Sequence, residues 1–237
     1  MGFEVVTRTH VGRKRTMNED AVLSRPDLGL WAVADGMGGH DAGEVASALV
    51  VETLQSAAPG LGPEIQAPVL KTLLADANAR LVAMAEAKGG GRTMGATVVA
   101  LAADNEGYAC LWAGDCRAYL ARSGALHQLT RDHSLVQRLV DMGELTPAEA
   151  RGHPNGNVVT RAVGADPALE VDAVAGEVAP GDAFLLASDG VTRVAEDEEL
   201  LAAMQAADLD AAAEVLVDLC LDRGAPDNLS FVIVRRQ

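Results

Sequence analysis

The sequence predicts an α+β protein in which antiparallel sheets carry helices on their outer faces. Short apolar runs bounded by polar turns recur along the chain, and two long amphipathic stretches interrupt them between residues 41 and 87. The order of segments is strands, two helices, many strands, two helices, one strand. That order is not the strict strand–helix alternation of a parallel sheet. No internal repeat is visible. No Ser/Pro/Gly-rich linker divides the 237 residues, so 1–237 reads as one domain.

Each element has its own signal. Phe3 to Thr9 and Ala21 to Ser24 read as strands, and LGLWAVAD ends a third. The stretch DAGEVASALVVETLQSAA then changes period. Val45, Leu49, Glu52 and Leu54 fall near helical spacing, with Ala46, Val50 and Thr53 on the same broad face. Pro59, Gly60 and Gly62 end that helix. A second helix is predicted from about Glu64 to Ala87, with Leu70, Leu73, Leu74, Ala77, Leu81 and Met84 inward and GGGR at 89–92 as the stop.

Strands return in TVVALAAD, YACLWAG and RAYLA, with Asn105-Glu106-Gly107 and Gly114-Asp115 in the turns, a spacing that fits an antiparallel meander. Ser134 is placed to cap a short helix ending at Gly143. Thr146-Pro147-Ala148-Glu149 has a capping-box layout with Pro in the first helical position. Residues 150–157 read as loop, and LEVDAVA and AFLLASD as strands. Leu200–Met204 and Ala211–Leu221 read as helices, the latter with Asp210 as cap and Gly224 as stop. NLSFVIVRR reads as a buried strand.

Composition bounds the partners. Hydrophobic residues make up 49% and aromatics 3%, so Ala, Val and Leu must fill the core. The formal charge of −15 repels nucleic acid and anionic lipid, and no basic run focuses a local attraction. Such a surface keeps a protein soluble and monomeric, and clustered carboxylates in it demand multivalent cations. MGFEVVTRTH contains no apolar segment long enough for a signal peptide or membrane span. Cys110, Cys116 and Cys220 lack metal-like spacing and read as small core residues in a reducing cytoplasm.

Three aspartates stand out by position. Asp35 ends LWAVAD, Asp189 ends FLLASD, and Asp227 comes just before the last apolar strand. A carboxylate at the end of a buried strand is held rigidly at a sheet edge. Asp35 and Asp189 are each followed by Gly, which lets the backbone turn and leaves its carbonyl open. A lone Asp-Gly is ordinarily only a turn; two of them, each ending a strongly apolar strand, point to hard cations such as Mg²⁺ or Mn²⁺. Neither His nor Cys clusters with them in the sequence, which argues against zinc.

With these residues in place, the chain resembles the metal-dependent, type 2C protein serine/threonine phosphatases, bacterial branch. The matching segments are Arg15-Thr16-Met17-Asn18-Glu19-Asp20, DGMGGHDAGEVAS at 35–47, MGAT at 94–97, AGDCRAYL at 113–120, LTRDHS at 129–134, ASDGV at 187–191 and PDNLSFVIV at 226–234. Any one is weak, and all seven in the family's order are specific.

The resemblance implies a four-layer αββα sandwich, two antiparallel sheets flanked by helix pairs, with two divalent cations, Mn²⁺ or Mg²⁺, in a cleft at one end. It implies Asp35 as the ligand bridging both metals, the Gly36 carbonyl as a ligand of one, and Asp189 and Asp227 as ligands of the other. Glu19 and Asp20 then hold water around the metals, and Arg15 clamps phosphate with its planar fork. Hydrolysis of phosphoserine and phosphothreonine proceeds through water activated between the cations, with no phosphoenzyme. The implied partners are phosphorylated proteins, including a cognate kinase or its targets.

Some positions depart from the family or stay open. Certain relatives carry His directly after the first Asp-Gly as a proton donor, where this chain has Met37. His40 and His133 fall in family segments and either holds a loop or contacts the phosphate's surroundings; His10, His127 and His153 read as structural. Residues 132–164 match the family's variable flap. Bacterial relatives bind a third, weaker metal through the GDxR aspartate, here Asp115, and a second aspartate four residues after that of SDG. That position is Arg193, which predicts an impaired third site and a pairing of Arg193 with Asp115 or a nearby carboxylate. Two other functions compete: a phosphoprotein-binding pseudophosphatase, which loss of a metal aspartate would favour, and a hydrolase of small phosphate esters or nucleotides, for which base-stacking aromatics are few.

Overall fold

The computed structural model describes residues 2–38, 42–87, 89 and 94–237. Strands β1 (Phe3–His10), β2 (Asp20–Arg25) and β3 (Leu30–Gly38) come first, then helices α1 (Ala42–Gln55) and α2 (Pro63–Ala87). β4 (Met94–Ala103), β5 (Gly107–Ala113), β6 (Arg117–Arg122) and β7 (Ala125–Gln128) form a meander. Short helices α3 (Leu135–Asp141) and α4 (Pro147–Arg151) lead to β8 (Asp172–Glu177) and β9 (Ala183–Ala187). One-turn α5 (Asp189–Thr192), α6 (Asp197–Gln205), α7 (Leu209–Asp222) and β10 (Leu229–Arg236) follow.

The strands form two five-stranded antiparallel sheets, in the orders β1-β10-β9-β6-β7 and β2-β3-β4-β5-β8. Period-2 alternation sorts the apolar side chains into layers. On β3, Leu30, Ala32 and Ala34 face α1 and α2, while Trp31 and Val33 face the other sheet. On β9, Leu185 faces α6 and α7 while Phe184 and Leu186 face inward between the sheets. The result is the αββα sandwich, and it explains why the central strands are apolar at nearly every position: both faces are covered. The scarce aromatics concentrate between the sheets, where Trp31, Tyr108, Trp112 and Phe184 are buried. Trp31 and Phe184 are fully buried, so truncating either to Ala would cost about 3–5 kcal/mol.

The caps at Ser134 and Thr146 are present. Ser134 Oγ accepts from Gln137 N–H at 3.2 Å, and Thr146 and Glu149 form the reciprocal box. Other expectations are corrected. Val45 and Glu52 are exposed, because α1 turns Gly43, Ala46, Val50 and Thr53 toward the sheet and leaves the opposite face to solvent. Asp208, not Asp210, caps α7, its side chain accepting from Ala211 N–H at 3.0 Å. α6 begins at Asp197 behind a Glu196–Glu199 box, and α4 runs on to Arg151. β8 begins at Asp172, not Leu169, and β7 and α5 have no counterpart in the sequence reading. Of the predicted GGGR stop, only Gly89 lies within the described residues.

Candidate active site

The inter-sheet rows end in polar residues at one end of the sandwich. Trp31 and Val33 continue on the same face to Asp35; across β2 the row runs from Val22 to Asp20, which pairs with Asp35. From the other sheet, Phe184 and Leu186 continue to Ser188, and Val234 and Val232 to Ser230 and Asn228. A carboxylate placed one step past the apolar core is buried, yet faces the opening between the sheets.

Hydrogen bonds fix this row. Ser188 Oγ–H donates to Asp20 Oδ2 at 2.9 Å and accepts from Ser230 N–H at 3.1 Å. Asn228 accepts from Glu19 N–H at 2.9 Å and donates to the carbonyls of Val11 and Met17, each at 2.9 Å. It thereby pins the loop carrying Arg15 to the head of β10. The Gly36 N–H donates to the Glu19 carbonyl at 3.0 Å. A Cβ at Gly36 would lie 2.0 Å from the Gly43 carbonyl oxygen, and one at Gly190 would lie 1.9 Å from that of Asn228. Only glycine permits these crossings. Asn228, Ser188 and Ser230 were missed in the sequence; the polar continuation of a period-2 row was the available signal.

The structure brings Asp20, Asp35, Asp115, Asp189 and Asp227 to this end, with Glu19 and Arg15 at the rim. Burial, first, and the negative charges of Asp20, Asp189, Asp115 and Asp227 push the Asp35 carboxyl well above its ordinary range. Burial also raises Asp20 to about 7, against hydrogen bonds from Ser230 and Ser188. Asp115 rises to about 7 through burial and Asp189, opposed by Arg193. Asp189 is raised by burial, and Arg193 opposes the shift. Glu19, against the backbone of Gly43, is raised by burial with Arg15 opposing.

Two guanidiniums offset part of this charge. Arg15 Nη2 donates to Asp227 Oδ2 at 2.8 Å. Arg193 Nη2 lies 3.3 Å from Asp115 Oδ2 and 3.1 Å from Asp189 Oδ2, so the pairing predicted for Arg193 is present. Among the described residues, no three His, Cys, Asp or Glu side chains as they stand converge on one point able to hold a metal ion. The donor chemistry nevertheless fits hard cations. The donors are carboxylate oxygens, burial raises the pKa values of Asp20, Asp35, Asp115 and Asp189, and Asp20 Oδ1 is buried without a hydrogen-bond partner. A cleft of about 690 Å³ runs from Asp115, Asp189 and Asp227 to residues 134–157.

Of the described histidines, only His153 lines the cleft. His133 stacks on Trp112 with centroids 6.2 Å apart and accepts from Gly114 N–H at Nδ1, 3.0 Å. Its Nε2 lies 3.0 Å from Arg161 Nη1 and 3.3 Å from Asp172 Oδ2. Burial lowers its pKa. His133 is thus a loop-holding residue. Nδ1 of His10 and of His153 each accepts a local backbone N–H, and His127 lies on β7 opposite Leu120. His40 lies outside the described residues. Met37 pairs with Gly95 across β3 and β4.

Two antiparallel sheets between helix pairs thus carry an acidic cleft at their common end. Residues 8–222 match the family model described as protein phosphatase 2C. The chain is 37% identical over 227 residues to the serine/threonine protein phosphatase PstP of Mycobacterium tuberculosis, covering 95% of this chain and 43% of PstP, so it spans less than half the length of that relative. It is 36% identical to the serine/threonine phosphatase stp of Listeria innocua, covering 97% of this chain and 94% of that one. Among solved structures it is similar to PppA, described as a key regulatory component of T6SS in Pseudomonas aeruginosa, with 44% identity, a TM-score of 0.91 and coverage of 99% and 98%. It is also similar to the catalytic domain of PstP in complex with two manganese ions, with 34% identity, a TM-score of 0.87 and the same coverage of each chain. The chain belongs to the protein phosphatase 2C family.

Proposed function

We propose that this chain removes phosphate from phosphoserine and phosphothreonine in proteins, using two divalent cations, Mn²⁺ or Mg²⁺. The observation that carries the reading is the set of carboxylates at one end of the sandwich, buried beyond what two arginines neutralise. Asp35, Asp189, Asp227 and the Gly36 carbonyl would hold the cations. Asp115 is engaged by Arg193, which favours two cations over three. When bound, such ions supply positive charge that acidifies water and polarises phosphoryl oxygens.

The chain's own residues do the rest. Ser188 holds Asp20 Oδ2 and leaves the buried Oδ1 without a partner, an acceptor for metal-held water. Asn228 sets the height of the Arg15 loop. Arg15 spends one N–H of Nη2 on Asp227, which leaves one of its parallel N–H pairs to grip a phosphate. Glu19 sits behind Arg15 and orients water. The whole of 1–237 then acts as one phosphatase domain, with residues 132–164 as a flap over the cleft. A monomer acting in the cytoplasm on targets of a Ser/Thr kinase, or on the kinase itself, fits the acidic charge and the three free, buried thiols. No described helix is long and apolar enough to cross a membrane.

The test is a side-by-side assay on a phosphothreonine peptide, p-nitrophenyl phosphate and nucleotides, with Mn²⁺ or with chelator. Peptide turnover that needs Mn²⁺ supports the reading. Preference for nucleotides, or peptide binding without turnover, overturns it.

A further inference from the structure

Arg193 stands one turn after Asp189, just past α5, and its guanidinium reaches back into the cleft. Besides Asp115 and Asp189, Nη2 donates to the Gly156 carbonyl at 2.8 Å. Asp115 joins β5 to β6 and Asp189 opens α5, whereas Gly156 belongs to the excursion between α4 and β8. One nitrogen therefore ties the bed of the site to the wall opposite it. The carboxylates it touches are well buried, at 6% and 15% side-chain exposure, so this pairing is less screened than a surface one.

Little else holds that wall. Residues 152–157 are mostly exposed, and their backbone bonds are local turns such as Gly156 N–H to His153; only at Val158, whose carbonyl accepts from Leu135 N–H at 2.8 Å, does the main chain of this turn reach α3. The other tie to α5 and α6 is Arg151 with Glu196 and Asp197, whose side chains are all more than half exposed. Such pairs are worth little. Among the described residues, no other side chain bonds the Gly156 carbonyl.

We propose that Arg193 is a positioning residue, a fixed internal cation that docks the 152–158 turn onto Asp115 and Asp189 and so sets the width of the cleft for a phosphorylated polypeptide. The kinetic part rests on the phosphatase reading; the docking part does not. A small phosphate ester needs only the bed of the site, whereas a polypeptide must also pass the wall. Arg193 thus governs discrimination between them.

The experiment measures amide hydrogen exchange in wild type, Arg193→Ala and Arg193→Lys, with chelator and with Mn²⁺, alongside kcat and KM on a phosphoprotein and on p-nitrophenyl phosphate. In Arg193→Ala, exchange at Gly156, Val158 and Leu135, whose N–H bonds the Val158 carbonyl, should quicken about tenfold, the scale of one charge-assisted hydrogen bond. Core amides such as Val232 should not change. KM for the phosphoprotein should rise about threefold or more relative to KM for the small ester, and Lys should restore part of both effects as a point charge without the fork. Unchanged exchange at the three amides in Arg193→Ala overturns the proposal, as does acceleration of Val232 in step with them. A wild type that leaves phosphoprotein untouched sinks the phosphatase reading, while the exchange comparison still decides the docking.

Discussion

Stripping divalent cations should make this protein lose stability as pH rises from acid toward neutral. Asp115 is the group responsible: burial and Asp189 hold its carboxyl at about 7. In the unfolded chain it titrates near the ordinary value of about 3.9. A group whose pKa is raised by folding binds its proton more tightly in the folded state. Its contribution is full below the unfolded value and is lost as pH climbs through about 7. Each pH unit in that window costs about 1.4 kcal/mol, so moving from about pH 5 to about pH 7 costs about 2–3 kcal/mol. For a chain of this size that is a fall of roughly 5–10 °C in melting midpoint. Asp20, also raised to about 7, shares Asp189 as a neighbour, so the two effects do not simply add. His133 works in the opposite sense, because burial lowers its pKa and its contribution is lost as pH falls. Thermal melts followed by circular dichroism in chelator, at closely spaced pH values, measure the slope. Asp115→Asn should lose part of it, and excess Mn²⁺ should reverse it, because cation and proton compete for the same oxygens. A flat or rising midpoint in chelated wild type between about pH 5 and pH 7 would refute the reasoning.

Asp189→Asn should lower kcat by at least about 100-fold while circular dichroism stays native, since a charged ligand is lost from an intact frame; full activity with unchanged Mn²⁺ content would remove Asp189 from the site. Arg15→Ala should raise KM for phosphopeptide by about tenfold, with Arg15→Lys intermediate, and steady-state kinetics on the three proteins would show whether Arg15 touches phosphate at all. Gly190→Ala should be destabilised by about 2 kcal/mol or more, because the new Cβ would meet the Asn228 carbonyl at 1.9 Å; a midpoint within about 1 °C of wild type would contradict that contact.

Much of this architecture was legible because two periods rule it. The central strands of both sheets are apolar on both faces, so LWAVAD, FLLASD and LSFVIV stand out, and a carboxylate beside each is conspicuous. Both short caps in the excursion could be read because they depend on local side-chain chemistry at Ser134 and Thr146. Legibility failed where the signal was non-local or weak. Val45 fits an apolar stripe, yet only packing against β3 and β4 decides which stripe of α1 is buried. β7 is four residues long and nearly all exposed, so it carries no hydrophobic pattern. The joining of Arg15 to Asp227 and of Asn228 to Val11 and Met17 spans more than two hundred residues of sequence, and no spacing rule reaches that far. Arg193 could be read as a pairing partner of Asp115. Its third acceptor, the Gly156 carbonyl, has no side-chain signature.

The position of β10 bears on how the protein is made. It lies between β1 and β9, with His10 opposite Leu229 and Phe231 opposite Ala187. At about 5–20 residues per second on the ribosome, β1 waits roughly 10–40 s for the strand that will pair with it. During that wait β1 has no strand beside it, and its unpaired backbone groups stay open. Asp227 and Asn228 arrive with the same strand, so the Arg15 loop and the carboxylate bed are completed in one late step. Any cut that releases β10 parts β1 from β9 and takes away the support of the Arg15 loop at the same time.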